Sequence, residues 1–150
     1  MNDYGRKLMV LFLTAILWSG VAPAATTADE AAAEQDVSKK IEEAMAAIKH
    51  YSVAQKDDAM QKSKLALAEL DKRIDKLERR MKKDWQKMDK AAREAAQATL
   101  KKLRKQRAEL AKWYDEVARS SASAWEHVKK GFTDSYDTLR ESIDKAQKEF

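Results

Sequence analysis

The stretch LAELDKRIDKLERRMKKDWQKMDKAA, residues 67–92, decides the fold of this chain. Its apolar residues return at alternating steps of three and four, the spacing of one face of an α-helix. They are Leu67, Leu70, Ile74, Leu77, Met81, Trp85, Met88 and Ala92. Charged residues fill most positions between them, so the pattern predicts an amphipathic helix that buries one stripe.

Beyond this stretch the apolar pattern continues with a period of eleven residues. One column holds Met81, Ala92, Leu103, Tyr114, Trp125 and Tyr136; a second holds Val117, Val128, Leu139 and Phe150; a third holds Leu110, Ser121, Phe132 and Ile143. Eleven residues make three turns at about 3.67 residues per turn, so such a stripe stays straight or drifts slightly right-handed. The apolar face therefore persists to the end of the chain.

Residues that break helices are nearly absent from the same region. After Ala25 there is no proline and one glycine, Gly131. The apolar register is lost around 50–53, and Ser123 followed by Glu126 has the spacing of a capping box. We therefore predict helices over about 36–50, 55–118 and 123–149. The expected fold is all-α without a sheet: long amphipathic helices in a two- or three-helix antiparallel hairpin or coiled coil.

The N-terminus has the composition of an export signal. Arg6 and Lys7 precede the apolar run 8–18, and the small residues of Ala22-Pro23-Ala24 follow it. This order predicts a signal peptide over 1–24, cleaved after Ala24, and a protein of the bacterial periplasm or the medium. The alternative is a retained inner-membrane anchor, for which the run is shorter than the ~20 residues of a spanning helix.

The rest of the chain is interpreted as one domain. Residues 25–35 are predicted to form a flexible linker, and residues 36–150 a single helical coiled-coil domain. The chain has no cysteine, so neither lipid attachment at the cleavage site nor a disulfide is possible. Its stability must come from helix packing or self-association.

Charge is concentrated in the middle of the chain. Residues 76–112 hold 14 Lys and Arg against 5 Asp and Glu, whereas residues 25–75 have a net charge of −3 and residues 113–150 a net charge of −2. One interpretation is that acidic helices, or partner chains, lie beside basic ones. The other is a polyanion-binding face, with Lys76, Arg80, Lys83, Lys87, Lys90, Lys101, Lys102, Arg104, Lys105 and Arg107 as candidates.

Nucleic acid is a poor candidate ligand for an exported chain. The polyanion expected in that compartment is an anionic membrane surface, an acidic envelope polymer or an acidic protein.

The C-terminal stripe is a second candidate surface. At about 100° per residue its members fall within a sector roughly 80° wide. The candidate apolar interface consists of Trp125, Val128, Phe132, Tyr136, Leu139 and Ile143. These residues either form a core, within one chain or between copies, or anchor the helix at a lipid surface.

Residue patterns of catalysis and ligand binding are missing. His50 and His127 each stand alone, without a second histidine one turn away. Asp57 and Asp58 lie at a predicted helix start, where acids stabilise the helix dipole. We therefore predict no enzyme activity, no catalytic residue, no cofactor, no metal site and no small-molecule substrate.

The segment 124–139, AWEHVKKGFTDSYDTL, together with Tyr51 and residues 55–57, resembles a loose group of exported bacterial coiled-coil proteins. In helical period that group is similar to apolipoprotein A/E repeats. The resemblance implies an exported helical protein and carries over no binding or catalytic residue. One departure from lipid-carrier helices is that the bases here occupy the centre of the polar face.

Three functions fit these observations. The first is an exported interaction or scaffold protein whose stripe packs internally or in self-association. The second is a peripheral binder of membranes or anionic envelope polymers, acting through the aromatic stripe and the basic middle. The third is a holdase-like periplasmic chaperone, an analogy drawn from small size, basic charge and helical character.

Overall fold

A computed structural model describes residues 24–150 of the chain as four α-helices. They are α1 (Ala24–Ile48), α2 (Lys56–Asp84), α3 (Lys90–Arg119) and α4 (Trp125–Glu149), with short 3₁₀ turns at Val53–Gln55 and Trp85–Lys87. The described residues contain no strand, which confirms the all-α prediction. The predicted signal peptide lies outside the described residues, apart from Ala24.

The predicted linker over 25–35 is wrong, because α1 begins at Ala24 and runs through it. This segment is rich in alanine, the strongest helix former, and contains neither glycine nor proline. Its acidic and polar composition suggested a linker, but the local helix propensity continues without interruption into the amphipathic part of α1.

The single helix predicted over 55–118 is also wrong, since the chain folds back between α2 and α3. Met88 has an extended backbone with ψ of 139°, and the side chain of Asp89 accepts the Ala92 N–H at 2.8 Å to cap α3. This reversal brings two halves of the stripe face to face. It raises the helix number to four, where two or three were expected.

The predicted break near Ser121 is confirmed, although the capping box is not. The α4 N-cap is Ala124, which makes no side-chain cap, and the Ser121 and Ser123 hydroxyls hydrogen-bond to each other at 2.9 Å. Glu126 instead pairs with Lys129 at 2.8 Å. At the break near 50–55, the Ser52 N–H donates to Gln55 Oε1 at 3.1 Å.

Short connections make successive helices antiparallel neighbours in an up-down-up-down bundle. Glu34 of α1 pairs with Lys76 of α2 at 2.5 Å, and Asp71 of α2 pairs with Arg107 of α3 at 2.6 Å. The bundle closes where Arg140 of α4 meets Glu42 of α1 at 3.1 Å.

The stripe forms the core of this bundle. Every stripe position of α2 from Leu67 to Met81 is at most 8% exposed, and so are Leu103, Leu110 and Val117 of α3. The hydroxyl of Ser63 is buried among them without a hydrogen-bond partner. Each large aliphatic side chain buried in this way contributes roughly 1.5 to 3 kcal/mol before entropy is counted.

A buried polar contact fixes the chain between α1 and α2. Trp125 Nε1 and Lys129 Nζ each donate to the Tyr51 carbonyl at 2.9 Å, so two α4 side chains satisfy one backbone oxygen. Lys129 is only 6% exposed and also meets the Glu126 carboxylate.

Gly131 lets α3 and α4 approach closely. A Cβ at this position would lie 2.5 to 2.6 Å from ring carbons of Trp113, well inside van der Waals contact. The indole of Trp113 covers the glycine and meets the His127 ring edge-on, with centroids 5.6 Å apart. The position therefore tolerates no side chain while Trp113 keeps its place.

We predict that Gly131→Ala destabilises the protein by about 1 kcal/mol, because overpacking at ~1 to 3 kcal/mol exceeds the ~1 kcal/mol that alanine adds to a helix. In a Trp113→Leu background the ring is gone, and the same substitution should stabilise. Urea denaturation of the four proteins measures both effects. The same sign in the two backgrounds would contradict the role given to Trp113.

Tyr136 is a buried ionisable group of the core, 3% exposed. Burial raises the pKa of its phenol to about 12, and the nearby Glu42 carboxylate acts in the same direction. The unfolded chain loses this proton near pH 10, so the stabilisation is complete below pH 10 and is lost as the pH rises towards 12.

Above pH 10 the wild-type protein should therefore lose stability relative to Tyr136→Phe by about 1 kcal/mol per pH unit. Lysine titration affects both proteins and cancels in the difference. Denaturant midpoints at pH 9, 10 and 11 provide the measurement. Parallel loss of stability in the two proteins would show that Tyr136 does not ionise on unfolding.

Candidate functional site

The fold gathers basic residues at one end of the bundle. Because α2 and α3 are antiparallel and joined at 85–89, their most basic segments lie side by side. Residues 79–105 hold eleven Lys and Arg against three Asp and Glu. We call these residues the basic hairpin end. All ten candidates for the polyanion face lie on α2, α3 or the turn between them.

Four of the ten candidates hold helices together. Lys76 bridges to α1, and Arg104 pairs with Glu78 of α2 at 2.8 Å. Arg107 donates hydrogen bonds to both carboxylate oxygens of Asp71, at 2.6 and 2.8 Å. Arg80 donates to the backbone carbonyls of Gln147 and Phe150 at 2.8 and 3.1 Å, which ties α2 to the end of α4. These contacts bridge neighbouring helices at the surface of the bundle, where the Lys76 and Arg104 side chains remain 59% and 62% exposed.

Glu78 is the acid on which the α2–α3 contact is centred. Hydrogen bonds from Lys82 first, and from Arg104 second, lower the pKa of its carboxyl group. The group therefore stays ionised to a lower pH than an isolated glutamate and holds two of the bases in the hairpin.

Two further candidates pair only with acids on their own turn. Lys87 lies 3.3 Å from Asp84, and Lys90 lies 3.9 Å from Glu94. The lysine side chains are 79% and 91% exposed. Exposed pairs of this kind are worth at most about 1 kcal/mol, so both ammonium groups are available to a ligand.

The remaining four candidates are exposed and lack an ion pair. Lys83, Lys101, Lys102 and Lys105 have no carboxylate oxygen within 4.0 Å among the residues that the structure describes. Arg79, which is absent from the candidate set, shares this property. It lies on the outward side of α2, in line with Lys83 one helical turn away, and that spacing was visible in the sequence.

The turn itself carries apolar side chains among these bases. Trp85 and Met88 are half-buried against the core edge. Arg93 stacks over the Trp85 indole, 5.6 Å from its centroid, and its Nε donates to the Trp85 carbonyl at 3.0 Å. This contact holds the indole at the end of the bundle.

The candidate apolar interface lies in the core. All six of its residues, Trp125, Val128, Phe132, Tyr136, Leu139 and Ile143, are at most 5% exposed. The stripe packs against α1, α2 and α3 within one chain. In this arrangement none of it is available to a lipid surface or a second copy.

The surface grooves are open and polar. One of about 350 Å³ lies between α1, α2 and α4, and its walls include Glu34, Glu69, Arg73 and Lys76. Arg73 donates hydrogen bonds to Asp144 and Gln147 of α4, so its guanidinium group is already paired within the bundle. Within residues 24–150 no three His, Cys, Asp or Glu side chains are grouped to hold a metal ion.

Among the helices of the described region, none combines the length and apolar composition that crossing a bilayer requires. No family model, curated protein or solved structure matches this chain.

Proposed function

We propose that the chain is an exported, non-enzymatic interaction protein: a self-contained helical bundle that meets its partner through its polar exterior. Export rests on the N-terminal order of two bases, an apolar run and small residues. The interaction role rests on the absence of a convergent polar cavity in the described part and on the uneven charge of its surface.

The observation that carries this proposal is the burial of the stripe. Because the aromatic and aliphatic residues of α4 are covered by the other helices, folding requires neither lipid nor a second chain. The large apolar side chains that remain exposed in the described region are Val37, Val53 and Leu65, at 40 to 63%. They are only three side chains on three different elements, too few for a large continuous apolar patch.

This exterior also weighs against two other functions. A helix that folds on a membrane through its aromatic stripe would have to leave the bundle and give up its core. A holdase needs a continuous apolar surface for unfolded chains, and three separated side chains do not provide one. What the surface does offer is unpaired positive charge, which suits an anionic partner.

We expect the protein to be helical and cooperatively folded in buffer without lipid. Leu139→Ala should destabilise it by about 2 to 5 kcal/mol, because Leu139 is 0% exposed. Leu65→Ala is the matched control: the same change on a helix, at 63% exposure, should alter stability by about 0.5 kcal/mol or less. Circular dichroism during urea denaturation measures both.

The same experiment with added anionic vesicles separates the alternatives. A chain that is unfolded in buffer and becomes helical only on vesicles would refute the bundle and favour the lipid-folded helix. Equal loss of stability in Leu139→Ala and Leu65→Ala would also refute the bundle, because only Leu139 is buried in it.

A further inference from the structure

We propose that the basic hairpin end docks the bundle onto an anionic lipid bilayer, with the basic residues next to the turn on the headgroups and Trp85 at the interface. The proposal rests on the proposed function, because it supplies the partner that a folded interaction protein requires. The sequence pattern divided membrane binding between the aromatic stripe and the basic middle, and the proposal keeps only the basic part, at one end of the molecule.

Available cations are concentrated at the tip of the hairpin. Arg79, Lys83, Lys87 and Lys90 lie in the turn or within six residues of it, so at 1.5 Å per residue they are within about 9 Å of the tip. At the opposite end, the connections 50–55 and 120–124 contain no Lys, Arg, Asp or Glu. A negatively charged plane therefore attracts the tip of the hairpin more strongly than the opposite end.

The chemistry of the tip favours a bilayer over a soluble polyanion. The turn carries a half-buried indole, Trp85, and a half-buried methionine, Met88, and three lysines lie within three residues of the indole in the sequence: Lys82, Lys83 and Lys87. A tryptophan with neighbouring lysines suits the boundary between headgroups and hydrocarbon, where the ring meets acyl chains and the ammonium groups meet phosphates. A dissolved polyanion needs only the charges.

The direction of α1 agrees with this orientation. The connection that follows α1 meets Lys129 at the end opposite the hairpin, whereas Glu34 lies against Lys76. The chain therefore enters α1 on the side of the basic hairpin end.

The absence of cysteine from the chain allows a direct test of orientation. A fluorophore is attached to Gln86→Cys at the tip or to Ala122→Cys at the opposite end, both exposed positions, in the full-length chain. Quenching by acrylamide is measured with vesicles of phosphatidylcholine alone and with vesicles containing 30% phosphatidylglycerol. Arg6 and Lys7 of the N-terminal segment also respond to headgroup charge, so the contribution of the hairpin end is isolated by two charge-removing variants that both keep these residues.

We expect vesicles with phosphatidylglycerol to protect the label at position 86 at least threefold, and the label at position 122 not at all. Protection should disappear at 0.5 M salt because the contact is electrostatic. The variant Arg79→Gln, Lys83→Gln, Lys87→Gln, Lys90→Gln removes four charges near the tip and should lower the apparent affinity for these vesicles by about 1,000-fold. Arg79 and Lys83 form no ion pair in the described bundle, and Lys87 and Lys90 form only exposed pairs within their own turn, so the variant should fold normally.

The matched control removes the same charge from the opposite end, as Lys64→Gln, Lys112→Gln, Arg119→Gln, Lys130→Gln, and should bind as the wild type does. Equal binding by the two variants, equal protection on both vesicle types, or protection at position 122 would overturn the proposal. Protection at position 86 by poly-glutamate but not by vesicles would also overturn it and identify a soluble polyanion. In each of these outcomes an intact circular dichroism spectrum leaves the proposed function standing.

Discussion

The fold-back of the chain at 85–89 is the constraint on which the rest of the structure depends. An apolar stripe that runs along more than sixty residues cannot be buried by one straight helix, because a lone rod offers it nothing to pack against. Folding the rod in two brings Met81 towards α3, and α4 and α1 then cover the remaining sides. Asp89 makes the reversal possible by capping the new helix in the absence of glycine or proline.

The fold-back also decides which charges are free. Antiparallel packing places Arg104 and Arg107 against acids of α2, and it brings Arg80 to the carbonyls at the end of α4. Arginine suits these positions because its planar fork makes two directed hydrogen bonds. The side chains that remain without a carboxylate at this end are mostly lysines, whose compact, hydrated charges suit a ligand surface.

The two ends of the bundle consequently differ in charge and in the residues exposed there. One is closed by neutral connections and by the buried contact of Trp125 and Lys129 with the Tyr51 carbonyl. The other carries a turn with exposed lysines and an indole held by Arg93.

The sequence by itself determined that the chain is helical and which face of α2, α3 and α4 is buried, because the period of the apolar residues is a local property of the chain. Burial of Leu139 and Ile143, and the break near Ser121, could be predicted in this way. The export signal, the resemblance to apolipoprotein-like repeats and the absence of catalysis remain predictions. Only the tertiary structure decided where the long helix reverses, since the gain from reversal comes from contacts between residues far apart in sequence. It also decided that Arg107 is an internal bridge while Lys105, two residues earlier, is free: both are basic residues of one helix, and only the neighbouring helix tells them apart.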